Sequence, residues 1–113
     1  MVSGAPDAGD IVWLNFTPQA GKEQAGKRPA LVLSPRSYNE KVGLVVACPI
    51  TSKSKGYPFE VALPAGLAVA GVILSDQVKS LDWKTRGASV AGQVPGETLR
   101  DVQAKIRALL RMS

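Results

Sequence analysis

Apolar residues fall in short runs separated by turn residues through the first two-thirds of the chain. Asp10 to Phe16 (DIVWLNF) is rich in strand-forming side chains and stops before Thr17-Pro18. Arg28 to Ser34 is nearly all apolar after its first residue and is closed by Pro35, and Leu44 to Thr51 is the most apolar run. Tyr57 to Leu63 alternates moderately and halts at Pro64-Ala65-Gly66; Gly71 to Val78 and Ala88 to Val94 complete the set. Strands this short and this evenly spaced predict a small barrel or sandwich, not a parallel α/β sheet.

The last segment has a different period. Leu99, Val102, Ile106, Leu109 and Leu110 recur at spacings of three and four, which places them on one helical face. Pro95-Gly96 opens this helix, Glu97 stands near its positive end, and Arg107 and Arg111 stand near its negative end. The spacing predicts a helix packed on the sheet. At 113 residues the chain is long enough for one compact domain spanning 1–113. Only 5% of it is aromatic, so the core must come from Val, Leu, Ile and Ala.

Composition removes several chemistries. With no histidine, His-based acid–base pairs, Ser-His-Asp triads and nearly every zinc site are excluded. The lone Cys48 cannot form an internal disulfide, and its place in the run LVVACPI reads as a small core residue. No apolar stretch approaches a membrane span, and MVSGAPDAGD has neither the basic nor the apolar region of a secretory signal, so the expected location is cytoplasmic. The net charge is +5, and seven bases against two acids lie between Lys22 and Lys55. A positive field concentrated in this way fits a polyanionic partner such as nucleic acid or an acidic peptide.

Gly21 to Lys27 has the G-x4-G-K spacing of a nucleotide-binding loop. Arg28 stands where that loop needs Ser or Thr for magnesium, and Pro29 with a strand-like run follows where a helix is required. ATP or GTP binding is rejected. Read otherwise, residues 17–27 are a polar loop ending at Arg28, whose planar guanidinium fits phosphate bidentately, with Glu23 as a carboxylate beside it in sequence.

Four segments follow in order: GDIVWLNF, EQAGKRPALVLSP, PITSKSKGYPFEV and LSDQVKSLDW. Together they resemble the MazF/PemK family of bacterial toxins, the MazF branch above all, over essentially the whole chain. The resemblance implies a mainly β fold, an SH3-like small β-barrel (MazF/PemK/CcdB-like) with a C-terminal α-helix, acting as a homodimer. It implies the toxin of a type II toxin–antitoxin system, held by a cognate MazE-like antitoxin. The activity implied is a sequence-specific mRNA interferase, an endoribonuclease that cuts single-stranded RNA without a metal or cofactor. Its products are 2′,3′-cyclic phosphate and 5′-hydroxyl ends, and an ACA-containing target is what the MazF branch points to.

By this resemblance Arg28 matches the catalytic arginine, Glu23 its paired acid and Thr51 the active-site threonine. Charge stabilisation falls to Arg28, with Thr51 donating a hydrogen bond to a nonbridging oxygen. Glu23 is the candidate base or the residue that orients Arg28; the acid is Arg28 by analogy, or water. Lys27 stands where relatives can carry histidine. Asp76 matches an aspartate of the PemK branch, whose partner arginine is replaced here by Leu74, so weight moves to Arg28. Lys53, Lys55 and Lys79 are the expected phosphate contacts, joined in binding by Lys27. Polar groups near Phe16, Thr17, Thr51, Ser52 and Gln77 are placed to read unstacked bases. For Phe16, Tyr57 and Phe59 the alternative is barrel core, the better reading for Phe59, and Trp13 and Trp83 are read as packing or dimer residues. Two alternatives share the fold: a gyrase-poisoning toxin of the CcdB type, and an RNA-binding module without catalysis.

Overall fold

Neighbouring residues on the central strands belong to opposite faces, and both faces are covered, which is why the apolar runs are continuous. The computed structural model describes residues 4–16 and 26–112. In chain order the elements are β1 (Asp10–Asn15), β2 (Lys27–Val32), α1 (Arg36–Val42), β3 (Leu44–Thr51), β4 (Glu60–Ala62), β5 (Val72–Leu74), β6 (Lys79–Asp82), β7 (Ser89–Gln93) and α2 (Gly96–Leu109). The sheet runs β4-β5-β3-β2-β1-β7, with β6 added to β3, and all pairings are antiparallel.

β3 organises the sheet. One edge pairs with β2 through Ala47, Cys48 and Pro49. The other edge changes partner: Leu44 to Ala47 pair with β6, and Ile50 and Thr51 pair with β5. Pro49 has no N–H to contribute to a ladder, and it stands at this handover, where its deficit does least harm. On one face Val12, Leu14, Ala30, Val32, Val45 and Ala47 join Leu81 and Trp83 in one buried cluster. On the other, Ile11, Leu31, Cys48, Ile50 and Ile73 meet Val102 of α2. Each such aliphatic side chain contributes about 1.5–3 kcal/mol by leaving water.

The strand expectations hold, with trimmed ends: the run 57–63 yields only Glu60–Ala62, and 71–78 only Val72–Leu74. Two elements were not anticipated. α1 buries a single residue, the polar Asn39, so it has no apolar stripe for periodicity to reveal. It is bounded by extended Pro35 and by Gly43, whose φ of 84° is the left-handed cap glycine adopts without strain. β6 has only Leu81 buried, and pairing with β3 overrides its weak strand propensity. The C-terminal helix is confirmed, with a correction to its face. Val102 is fully buried and Leu99 and Ile106 pack partly, but Leu109 and Leu110 are exposed, because the helix leaves the second cluster after Ile106.

Asn39 is the polar hub of the fold. Its Nδ2 donates to the carbonyls of Pro6 and Ser34, both at 2.9 Å, and its Oδ1 accepts from Ser34 Oγ at 2.6 Å. Its carbonyl accepts from Trp83 Nε1 at 2.8 Å, so the packing role expected of Trp83 comes with a satisfied indole. Asn39→Ala keeps the backbone carbonyl that Trp83 uses but would leave the Pro6 and Ser34 carbonyls and the Ser34 hydroxyl without these side-chain partners, and is expected to cost about 3 kcal/mol, read from the urea midpoint.

Asp7 accepts from the backbone N–H of Arg36 at 2.9 Å and of Ala8 at 2.9 Å. The Arg36 bond first, and the Ala8 bond second, hold its carboxyl below the ordinary 3.8. A carboxyl lowered on folding stabilises fully above its unfolded value and loses that contribution as pH falls through the folded one. Asp82, held down mainly by the Thr85 backbone N–H, behaves in the same way. With no histidine to titrate, the denaturation midpoint is expected to be flat between pH 7 and 5 and to fall below about pH 4. Asp7→Asn should flatten part of that fall.

Candidate functional site

β2 and β3 bring the expected cation and hydroxyl into one cleft of about 470 Å³, lined by Arg28, Lys27, Thr51, Ser52 and Lys53. Trp13 and Pro29 line it as well, and they are register partners across β1 and β2. Ala68, Val69 and Ala70 complete the lining. Arg28 lies two residues before fully buried Ala30, and Thr51 directly follows Ile50, which is 2% exposed. Both candidate side chains are therefore carried near the ends of strands that Ala30 and Ile50 lock into the core. Arg28 and Thr51 are themselves half-buried.

Thr51 Oγ1 accepts the backbone N–H of Lys53 at 3.1 Å. With a lone pair engaged on that side, its O–H is left to donate to a ligand. Thr51 also sits at a close backbone approach. A Cβ on Gly71 would collide with the Thr51 carbonyl, and Gly71 has a φ of 127° that only glycine adopts readily.

A second cleft of about 300 Å³ adjoins the first, sharing Thr51 and Lys53 with it. Lys55, Gln77, Asp76, Tyr57, Phe59 and Glu60 also line it. Tyr57 is 50% exposed and its ring lies 5.5 Å from that of Phe59. The core reading preferred for Phe59 is thereby corrected, and that alternative falls for Tyr57 too: the loop before β4 carries both rings to the second cleft. Trp13 likewise packs on the second cluster while lining the first cleft.

The other predicted residues are dispersed. Phe16 packs against the first core cluster, and Lys79 Nζ lies 5.9 Å from its ring centroid, a cation–π distance; neither lines the two clefts. Lys27 Nζ reaches the Gly87 carbonyl at 3.4 Å. Glu23 and Thr17 lie outside the described residues.

Asp76 lines the second cleft, yet its Oδ1 is buried with no hydrogen-bond partner, as is Ser75 Oγ. Burial chiefly, and the Asp76 charge secondarily, push the Cys48 thiol up to about 12. Cys48 is thus an inert core residue at neutral pH. Among the described residues no three His, Cys, Asp or Glu side chains cluster as metal ligands, and no helix is long and apolar enough to cross a membrane.

A family model described as "PemK-like, MazF-like toxin of type II toxin-antitoxin system" matches residues 7–110. The chain belongs to this family. The Escherichia coli K12 endoribonuclease toxin MazF is 52% identical over 105 residues, covering 93% of this chain and 94% of that protein. Escherichia coli PemK is 32% identical, covering 92% and 81%. Among solved structures, MazF in the MazE–MazF complex (Form-II) of Deinococcus radiodurans superposes with a TM-score of 0.91 at 59% identity, over 96% of this chain and 98% of that one. The MazF fold is therefore shown by superposition, as a mainly β antiparallel sheet with a C-terminal helix. This MazF-type chain is a type II toxin and an endoribonuclease.

Sequence reasoning missed the wall formed by Ala68 to Ala70 and the rings of the second cleft. The flanking Gly66 and Gly71 were the available signal, since a glycine pair brackets a segment held close to another backbone. Gly71→Ala is expected to destabilise the fold by about 2 kcal/mol. It should also lower RNA cleavage more than that loss explains, as measured at a temperature where the variant stays folded.

Proposed function

We propose that this MazF-type toxin cleaves single-stranded mRNA at specific sequences by internal transphosphorylation. The 2′-hydroxyl of the RNA attacks the adjacent phosphorus, the bond to the 5′-oxygen breaks, and the products carry 2′,3′-cyclic phosphate and 5′-hydroxyl ends. The nucleophile belongs to the substrate, so the protein needs neither a metal-bound hydroxide nor a nucleophilic side chain of its own. What it must supply is charge stabilisation and proton transfer.

The observation that carries this reading is the shared cleft of Arg28 and Thr51, continuous with a lysine-lined second cleft. Arg28 meets the extra negative charge of the phosphorane. Thr51, its Oγ1 already accepting from Lys53 N–H, donates its hydroxyl hydrogen to a nonbridging oxygen. One preorganised donor of this kind is worth about 10²–10³ in rate, and a cationic guanidinium more. Glu23 takes the 2′-hydroxyl proton or orients Arg28, and Arg28 or water protonates the leaving oxygen. Lys53 and Lys55 hold flanking phosphates, Ser52 and Gln77 face base edges in the two clefts, and Lys79 with Phe16 extends the track. Thr17 and Lys27 complete the binding set. Cleavage takes place in the cytoplasm.

The toxin works as a homodimer silenced by a cognate MazE-like antitoxin with an acidic, partly disordered tail. The solved Deinococcus radiodurans MazE–MazF complexes support a partner of this kind, and the basic segment between Lys22 and Lys55 supports its charge. A monomer by light scattering at micromolar concentration would refute the dimer.

Single-stranded RNA incubated with the toxin in excess EDTA is expected to be cut, leaving 3′ ends that accept an adapter only after the cyclic phosphate has been opened and removed to free the 3′-hydroxyl. Arg28→Ala should lower kcat/KM by about 10³ or more and Thr51→Val by about 10². Intact RNA across varied sequences, or full activity in Arg28→Ala, defeats the reading. Four neutralised phosphates would give a slope of roughly −2.8 for log K against log salt.

A further inference from the structure

Glu60 opens β4, and its carboxylate turns back on the loop that precedes it. Oε1 accepts from Ser54 Oγ at 2.8 Å and from the Gly56 backbone N–H at 3.1 Å; Oε2 accepts from the Lys55 backbone N–H at 3.0 Å. Ser54 Oγ also receives the Gly56 N–H at 3.4 Å. A second tether comes from α2, where Lys105 Nζ donates to the Pro58 carbonyl at 2.6 Å. Between these fixed points the loop is exposed from Ser52 to Pro58.

We propose that Glu60 is a positioning residue for RNA binding: its carboxylate fixes the backbone that carries Lys53 and Lys55 along the second cleft. The proposal rests on the RNA-cleaving reading of that cleft. The bond to Lys55 uses its backbone N–H, so the exposed ammonium is left to meet a phosphate. A carboxylate in this basic surface would be expected to repel RNA. Here its charge is instead met by backbone and hydroxyl donors, and the Lys55 bond foremost holds its carboxyl below the ordinary range. The two lysines then enter the complex with their backbone already ordered, which lowers the entropy lost on binding. Glu60 acts through the loop and touches no reacting atom.

The test compares the intact wild-type toxin with Glu60→Ala and Glu60→Gln. Amide hydrogen exchange, followed by NMR without RNA, reads the loop directly. In Glu60→Ala the Lys55 and Gly56 amides are expected to exchange at least about tenfold faster, with the Ile11 and Leu31 amides of the core unchanged. On single-stranded RNA its KM should rise about fivefold while kcat stays within about twofold. Glu60→Gln keeps one acceptor but turns an N–H₂ toward a backbone donor, and should fall between the two. Unchanged exchange, faster exchange with an unaltered KM, or a loss confined to kcat overturns the proposal. Wild-type toxin that leaves single-stranded RNA uncut overturns the proposed function and this role with it, a result distinguished by requiring no variant.

Discussion

The pairing of β3 on both edges, with both faces buried, is the constraint on which the rest of the structure depends. Its backbone groups find partners in β2, β6 and β5, and its side chains divide between the two core clusters. A strand held in that way cannot slide by one residue without exchanging its two apolar faces. Its last residue, Thr51, is consequently delivered to one place. β2, paired with β3 and β1, brings Arg28 beside it by the same logic. Preorganisation of this site is a by-product of core packing rather than of contacts within the site.

Electrostatics follow a similar division. The carboxylates whose affinity for protons is clearly lowered, Asp7, Glu60 and Asp82, are each bound by backbone N–H groups of a neighbouring turn or loop. They act as local staples for the chain. Lys53 and Lys55 of the second cleft stand on or beside the segment that Glu60 staples, so a basic surface is kept without losing the order of its loop. Asp76 has a buried oxygen that no hydrogen bond serves. It lines the second cleft, and its charge adds to the burial that raises the Cys48 thiol.

Much of the fold could be read from the residues because each main strand carries apolar side chains for both faces. Leu44–Thr51 was legible to the residue, and Leu99, Val102 and Ile106 declared their helix by spacing. Arg28 and Thr51 were singled out by resemblance, since a guanidinium ahead of an apolar run and T-S-K after one recur in order with the other segments, and the fold brings both to one cleft. α1 and β6 were not legible: one buries a lone polar residue and the other a lone leucine, so neither leaves a periodic trace. Leu109 and Leu110 misled in the opposite sense, continuing a periodic face beyond the core that Ile106 closes.

Local pattern, then, determined every strand but β6, the amphipathic C-terminal helix, and that histidine chemistry and an internal disulfide have no part in its work. Tertiary structure alone decided that Thr51 and Lys53 join two clefts, that Gly71 lies against the Thr51 carbonyl, and that Glu60 grips the lysine-bearing loop. The physical reason is range. Propensity and periodicity act between residues a few positions apart, whereas a cleft is made where β2, β3 and the segment before β5 converge, and only the packed core sets those distances.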